Sequence, residues 1–60
     1  SRDMIKEMQG LLGAQGYRVG TPDGVVGPLT RSAIRAFQKT KRLPADGFPS
    51  TDLLDQLRGG

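Results

Sequence analysis

Six carboxylates, three serines, and neither histidine nor cysteine set the chemistry open to this 60-residue chain. The carboxylates are Asp3, Glu7, Asp23, Asp46, Asp52 and Asp55, and only Asp23 and Asp46 stand in matching settings, each followed by glycine. Two carboxyl groups can hydrolyse a glycosidic bond when they flank a cleft about 5–9.5 Å apart and burial raises one pKa. Nothing in so short a chain indicates such a cleft. The two aspartates are read instead as holding Asp-Gly turns by accepting from neighbouring backbone N–H groups. Ser1, Ser32 and Ser50 have no imidazole to activate them, which excludes a hydrolytic triad. The commonest metal ligands are missing as well, so neither metal nor cofactor is expected.

The cations form a second pattern. Arg31, Arg35, Gln38 and Arg42 recur at helical spacing and so share one side of a helix. Such a stripe can hold phosphates in the manner of a DNA-recognition helix. The connection ahead of it, however, spans about eleven residues, where the DNA-binding arrangement uses three or four. Gly20-x-x-x-Gly24-x-x-Gly27 looks like a phosphate loop but lacks the lysine and hydroxyl that must follow its last glycine. Lys39, Lys41 and Arg42 are read as favourable charges near a helix C-terminus. A net charge of +3 and a pI near 10 permit an anionic polymer as partner without choosing one. No apolar run approaches the ~18 residues of a membrane span, and the first residues lack the apolar centre of a signal peptide. Neither a nucleic acid nor a membrane is the expected partner.

The elements that must position these residues centre on Tyr17–Gln38, where a glycine-rich loop leads into an amphipathic helix. Pro28 suits a first helical position, so helix two begins near Gly27 or Pro28 and frays around Lys39 to Arg42. Leu29, Ala33, Ile34, Ala36 and Phe37 form its apolar stripe. Helix one is expected from Asp3, as cap, to Gln15, with Ile5, Met8, Leu11 and Leu12 inward and Gly16 following its end. Gly10 and Gly13 each weaken that helix by ~1 kcal/mol relative to Ala, and they are expected to let another backbone come close. Helix three runs from its cap Ser50 to Leu57 or Arg58, with Leu53, Leu54 and Leu57 buried. It is too short to stand alone and must dock on the other two. A chain of this length buries only ~60% of its unfolded surface and makes one small domain.

An internal echo organises the whole. Ile5-x-x-Met8-Gln9 matches Ile34-x-x-Phe37-Gln38, and each leads to a turn ending in Asp-Gly, then to another helix. A helix-turn-helix unit used about one and a half times predicts an all-α, compact three-helix bundle with two similar turns. Val25 or Val26 is expected to pair with Phe48 in at most an isolated β-bridge.

Ile5-x-x-Met8-Gln9-x-x-Leu12, Gly16-Tyr17, Gly20, Asp23-Gly24, Gly27-Pro28-x-Thr30, Ala33-Ile34, Phe37-Gln38, Leu43 and Asp46-Gly47 together resemble the peptidoglycan-binding domain family, a small three-helix module attached to bacterial cell-wall hydrolases. The resemblance covers nearly the whole chain, so residues 1–60 read as one such domain cut from a longer protein, with Ser1 and the Arg58-Gly59-Gly60 tail as its boundaries. It implies a non-catalytic role in which the module holds an attached domain on peptidoglycan. It also implies a place in the periplasm or cell wall, with any export signal outside this stretch, and a monomer within a multidomain protein. Members often carry an aromatic where Val26 stands and glycine where Arg42 stands, which leaves Arg42 in an uncomfortable cap conformation or ends the helix differently.

The expected ligand groove lies between the loop from Tyr17 to Thr30 and the polar side of helix two. Tyr17, Asp23, Gly24, Gly27, Thr30, Arg31, Arg35 and Gln38 are its candidate residues, offering backbone N–H groups, a hydroxyl, an amide and cations to sugars and stem peptides. Structural readings stand beside these: Tyr17 packed on helix two, Thr30 bonding the helix start, Gln9 and Gln38 bridging the two turns. An envelope domain that recruits a protein, and less favourably a DNA-binding domain, are the competing functions.

Overall fold

The computed structural model describes residues 1–59, which form three helices: α1 (Arg2–Ala14), α2 (Pro28–Thr40) and α3 (Thr51–Leu57). Among them there is no strand and no β-bridge. At most an isolated bridge between Val25 or Val26 and Phe48 is expected, and none forms among the described residues, where backbone groups of Val25 and Phe48 are bonded to side chains. The Val25 and Phe48 N–H groups donate to Asp23 and Asp46, and the Val25 carbonyl accepts from Gln9.

The helix starts differ. Ser1, not Asp3, caps α1: its Oγ accepts from the Met4 N–H at 3.2 Å. Asp3 sits within the first turn, where its charge still complements the helix dipole. Ser50 caps α3 as expected, accepting from the Leu53 N–H at 3.0 Å. At α2 the cap is Gly27, which brings no side-chain bond, and Pro28 follows it.

All three helices end on a residue with positive φ: Gly16 at 95°, Arg42 at 59° and Gly59 at 90°. At α1 the Tyr17 N–H reaches the Leu12 carbonyl and the Gly16 N–H reaches Gly13; at α2 Leu43 reaches Gln38 and Arg42 reaches Lys39. These are Schellman bonds, which satisfy carbonyls left over at a helix end. Arg42 makes them in the left-handed conformation that glycine adopts without strain.

The core joins Met8 and Leu12 of α1, Ala33, Ile34 and Phe37 of α2, and Leu53, Leu54 and Leu57 of α3 to Val19 of the long loop. Leu29 and Ala36, expected in this core, flank the buried face instead, and Leu29 is 50% exposed. The inward face of α2 follows helical geometry through Thr30, Ala33, Ile34, Phe37 and Gln38, admitting two polar residues that the apolar stripe left out. Gly10 and Gly13 of α1 allow no close backbone approach: a Cβ on Gly10 would meet nothing within 4 Å, and one on Gly13 only the Val19 side chain at 3.6 Å.

The short third helix is fastened at its end. Arg58 grips Glu7 with two bonds, 2.7 and 2.8 Å, and the Gln15 amide donates to the Leu57 carbonyl at 3.3 Å. The Arg58 hydrogen bonds hold the Glu7 carboxyl below its ordinary value. This pair is exposed, so it orients α3 more than it stabilises it.

Candidate ligand-binding site

The two Asp-Gly turns are built alike. In the first, Asp23 Oδ1 accepts from the Val25 N–H at 2.9 Å, closing an Asx turn. Gln9, buried in α1, donates to Asp23 Oδ1 at 3.4 Å and accepts from the Gly24 N–H at 2.9 Å. In the second, Asp46 Oδ1 accepts from the Phe48 N–H at 2.9 Å, while Gln38 of α2 donates to Asp46 and accepts from the Gly47 N–H, both at 2.9 Å. Each glutamine thus stands in for the backbone partners that a turn packed against a helix would lack.

The glycines complete the match. Gly24 and Gly47 have φ of 81° and 74°, and each lies against a helix backbone. A Cβ on Gly24 would stand 2.9 Å from the Arg2 carbonyl oxygen, and one on Gly47 would stand 3.3 Å from that of Arg31. Arg2 precedes Gln9 by the same number of positions as Arg31 precedes Gln38. The backbone N–H bonds, ahead of the glutamine bonds, pull the carboxyls of Asp23 and Asp46 below their ordinary value. Both aspartates are therefore charged acceptors at neutral pH, with no raised pKa to suit a general acid.

Three clefts surround these turns. The first, of about 400 Å³, is largely uncharged and runs past Gly20, Asp23, Val25, Gly27 and Leu29. Its apolar surface is open, with Val25 54% and Leu29 50% exposed. The second, of about 450 Å³, is the counterpart at the other turn, but Asp46, Asp52 and Asp55 make it acidic. The third, of about 280 Å³, holds Arg31, Arg35 and Ser32 on the far side of Gly27 and Pro28, which also wall the first.

Against this geometry the expected site residues separate. Asp23, Gly27 and Thr30 line the first cleft, where Asp23 is the one charged residue, and Gly27, Arg31 and Arg35 line the cationic one. Thr30 is buried, its Oγ1 accepting from Gln9 at 2.9 Å, so its hydroxyl ties α2 to α1 and the first turn. Gln38 lines the acidic cleft, not the expected groove, and its amide is occupied by the second turn. The Gly24 N–H is likewise taken by Gln9. Tyr17 packs on α2, edge-on to Phe37 at 6.1 Å, with its hydroxyl donating to Thr40 at 3.3 Å.

Val25 and Leu29 were absent from the expected set. Leu29 belongs to the apolar stripe of α2, and only the position of the buried arc, which Thr30 and Gln38 shift, shows that it faces outward. Gln9 as organiser of the first turn was legible from its match with Gln38.

The family model described as a peptidoglycan binding domain matches residues 1–57. The chain belongs to the peptidoglycan-binding domain family. Among solved structures, this family member is similar to SltB3 from Pseudomonas aeruginosa, determined in complex with NAG-anhNAM-pentapeptide and with NAG-NAM-pentapeptide. The identity is 48% and the TM-score 0.93, over 97% of this chain and 16% of SltB3. It is also similar to the OpcA protein of Nostoc punctiforme, 40% identical over 53 residues, which is 88% of this chain and 11% of OpcA. The peptidoglycan-binding domain therefore spans a small part of the relatives it matches.

Proposed function

We propose that this domain binds bacterial peptidoglycan in the periplasm or cell wall, performs no chemistry itself, and holds an attached catalytic region near its substrate. Residues 1–60 act as one binding unit within a longer protein. The observation that carries the reading is the mainly apolar cleft beside the first turn, which joins half-exposed Val25 and Leu29 to the glycines Gly20 and Gly27 and has Asp23 as its one charged residue. Open apolar surface beside a few polar groups suits the C–H faces and hydroxyls of a glycan. Family membership and the likeness to SltB3, whose structures hold disaccharide pentapeptides, support the same ligand class.

The ligand-facing residues are Asp23 and Gly27 on the cleft side of α2, with Arg31 and Arg35 beyond them. Gly24, Thr30 and Gln38 serve by holding the turns, and Tyr17 by bracing α2. A single shallow cleft binds weakly, and the repeating polymer supplies avidity. Insoluble murein sacculi should carry the domain into the pellet at moderate salt. Protein left in the supernatant overturns the reading, and binding that vanishes steeply with salt points to charge alone. With soluble muropeptides, backbone amide shifts should centre on Gly20–Arg31; shifts confined to α3 reject this cleft.

A further inference from the structure

Gly27 has no structural reason to be glycine. Its φ of −105° and ψ of −175° are open to any residue, and a Cβ there would meet nothing within 4 Å. As the N-cap of α2 it would stabilise the helix somewhat better as Ser, Asp or Asn, whose side chains accept from the first-turn N–H groups. The first turn of α2 also lacks an acidic residue, whereas α1 and α3 each have a serine cap and an aspartate there.

Arg31 and Arg35 stand beside this start, one turn apart, where like charges repel. Neither lies within 4.0 Å of a carboxylate among the described residues, where the recorded ion pairs belong to Arg58. The Nε of Arg31 is buried with no hydrogen-bond partner, and the guanidinium lies 4.8 Å from the Phe48 ring centre, which covers its face and leaves its terminal Nη donors to another group. Both arginines, Ser32 and Gly27 line one cleft.

From this we infer that the cleft between Gly27 and Arg35 receives a carboxylate of the peptide part of the ligand. Arg31 and Arg35 supply the countercharge, and Gly27 lets the chain cross low over the ridge shared with the mainly apolar cleft. The inference rests on the peptidoglycan reading above and deepens it: sugar on one side of Gly27–Pro28, peptide carboxylate on the other. Charge-assisted bonds to guanidinium are strong enough to give the peptide a large share of the affinity.

The test is a titration of the domain, followed by amide shifts, with a disaccharide pentapeptide and with the same compound after amidation of its peptide carboxylates. The carboxylate form should bind about ten-fold more tightly, a difference equivalent to about 1.4 kcal/mol. Arg35→Gln should remove that preference and keep the weaker affinity. Gly27→Asp should raise the melting temperature through its new cap while weakening the carboxylate form, a divergence that a purely structural role would not produce. Equal affinity of the two compounds for the unmodified domain overturns the inference and leaves the peptidoglycan reading standing, whereas failure to bind either overturns both. Retention of the preference by a folded Arg31→Gln, Arg35→Gln double variant also overturns it.

Discussion

Gln9 and Gln38 are equivalent residues: each is buried on its helix and accepts at 2.9 Å from a turn glycine while donating to the aspartate before it. The turns that shape the clefts are therefore anchored to the helices chiefly by one glutamine each, with Arg2 Nε adding a bond to the Asp23 carbonyl at 3.3 Å in the first. That economy makes them sensitive to small changes.

Gln9→Met and Gln38→Met keep the side-chain volume and remove the amide. Each leaves a turn glycine N–H without its partner, while the exposed aspartate keeps its backbone N–H bond, and each should cost about 1–3 kcal/mol. A 60-residue domain holds on the order of 3–9 kcal/mol in total, so either variant should lose a large share of its stability. Urea unfolding followed by far-UV circular dichroism measures this; a loss under 1 kcal/mol would show that the turns stand without their glutamines.

Glycines should respond in opposite directions. Gly24→Ala puts a Cβ at positive φ, 2.9 Å from the Arg2 carbonyl oxygen, and should destabilise by more than the ~1–2 kcal/mol of the conformation alone. Gly10→Ala sits in a helix with open space around it and should stabilise by about 0.5–1 kcal/mol. Paired thermal melts report the signs.

Arg42→Gly should stabilise by about 1 kcal/mol, since the residue after the end of α2 has φ of 59° and glycine meets no Cβ penalty there. Arg42→Ala tests the mechanism: it keeps the Cβ, so its melting temperature should stay close to that of the natural chain.

Much of the fold was legible because the signals were local. Pro28 marked a helix start, Asp23-Gly24 and Asp46-Gly47 marked turns, and the repeated Ile-x-x-apolar-Gln pattern tied them together. What escaped depended on tertiary geometry. Leu29 looks like a core residue until Thr30 and Gln38 are seen to turn inward, and that happens only because Gln9 and the second turn satisfy them. Val19, an isolated valine in a glycine-rich loop, carries no period, and the chain path alone places it in the core. The candidate site was half legible for the same reason. Arg31 and Arg35 share a visible stripe, whereas the openness of Val25 depends on how the loop lies.

Acid should weaken the domain. The carboxyls of Asp23 and Asp46 lie below their ordinary value of 3.8, and that of Glu7 below 4.5. A lowered folded pKa stabilises the fold above the unfolded value, and the gain is lost as pH falls through the folded one. Melting temperature should therefore hold steady from about pH 7 to 5 and fall below about pH 4. Asp23→Asn with Asp46→Asn keeps the acceptor oxygens without the titration, so this variant should lose less over the acid range.

The glutamine locks reach turns only 15 and 9 positions along the chain. Closing so short a loop takes on the order of 10–100 ns, and helical proteins dominated by local contacts fold in microseconds to milliseconds. Each turn can snap onto its own helix before α3 has found its place, so a molecule that is pulled open would regain its shape almost at once.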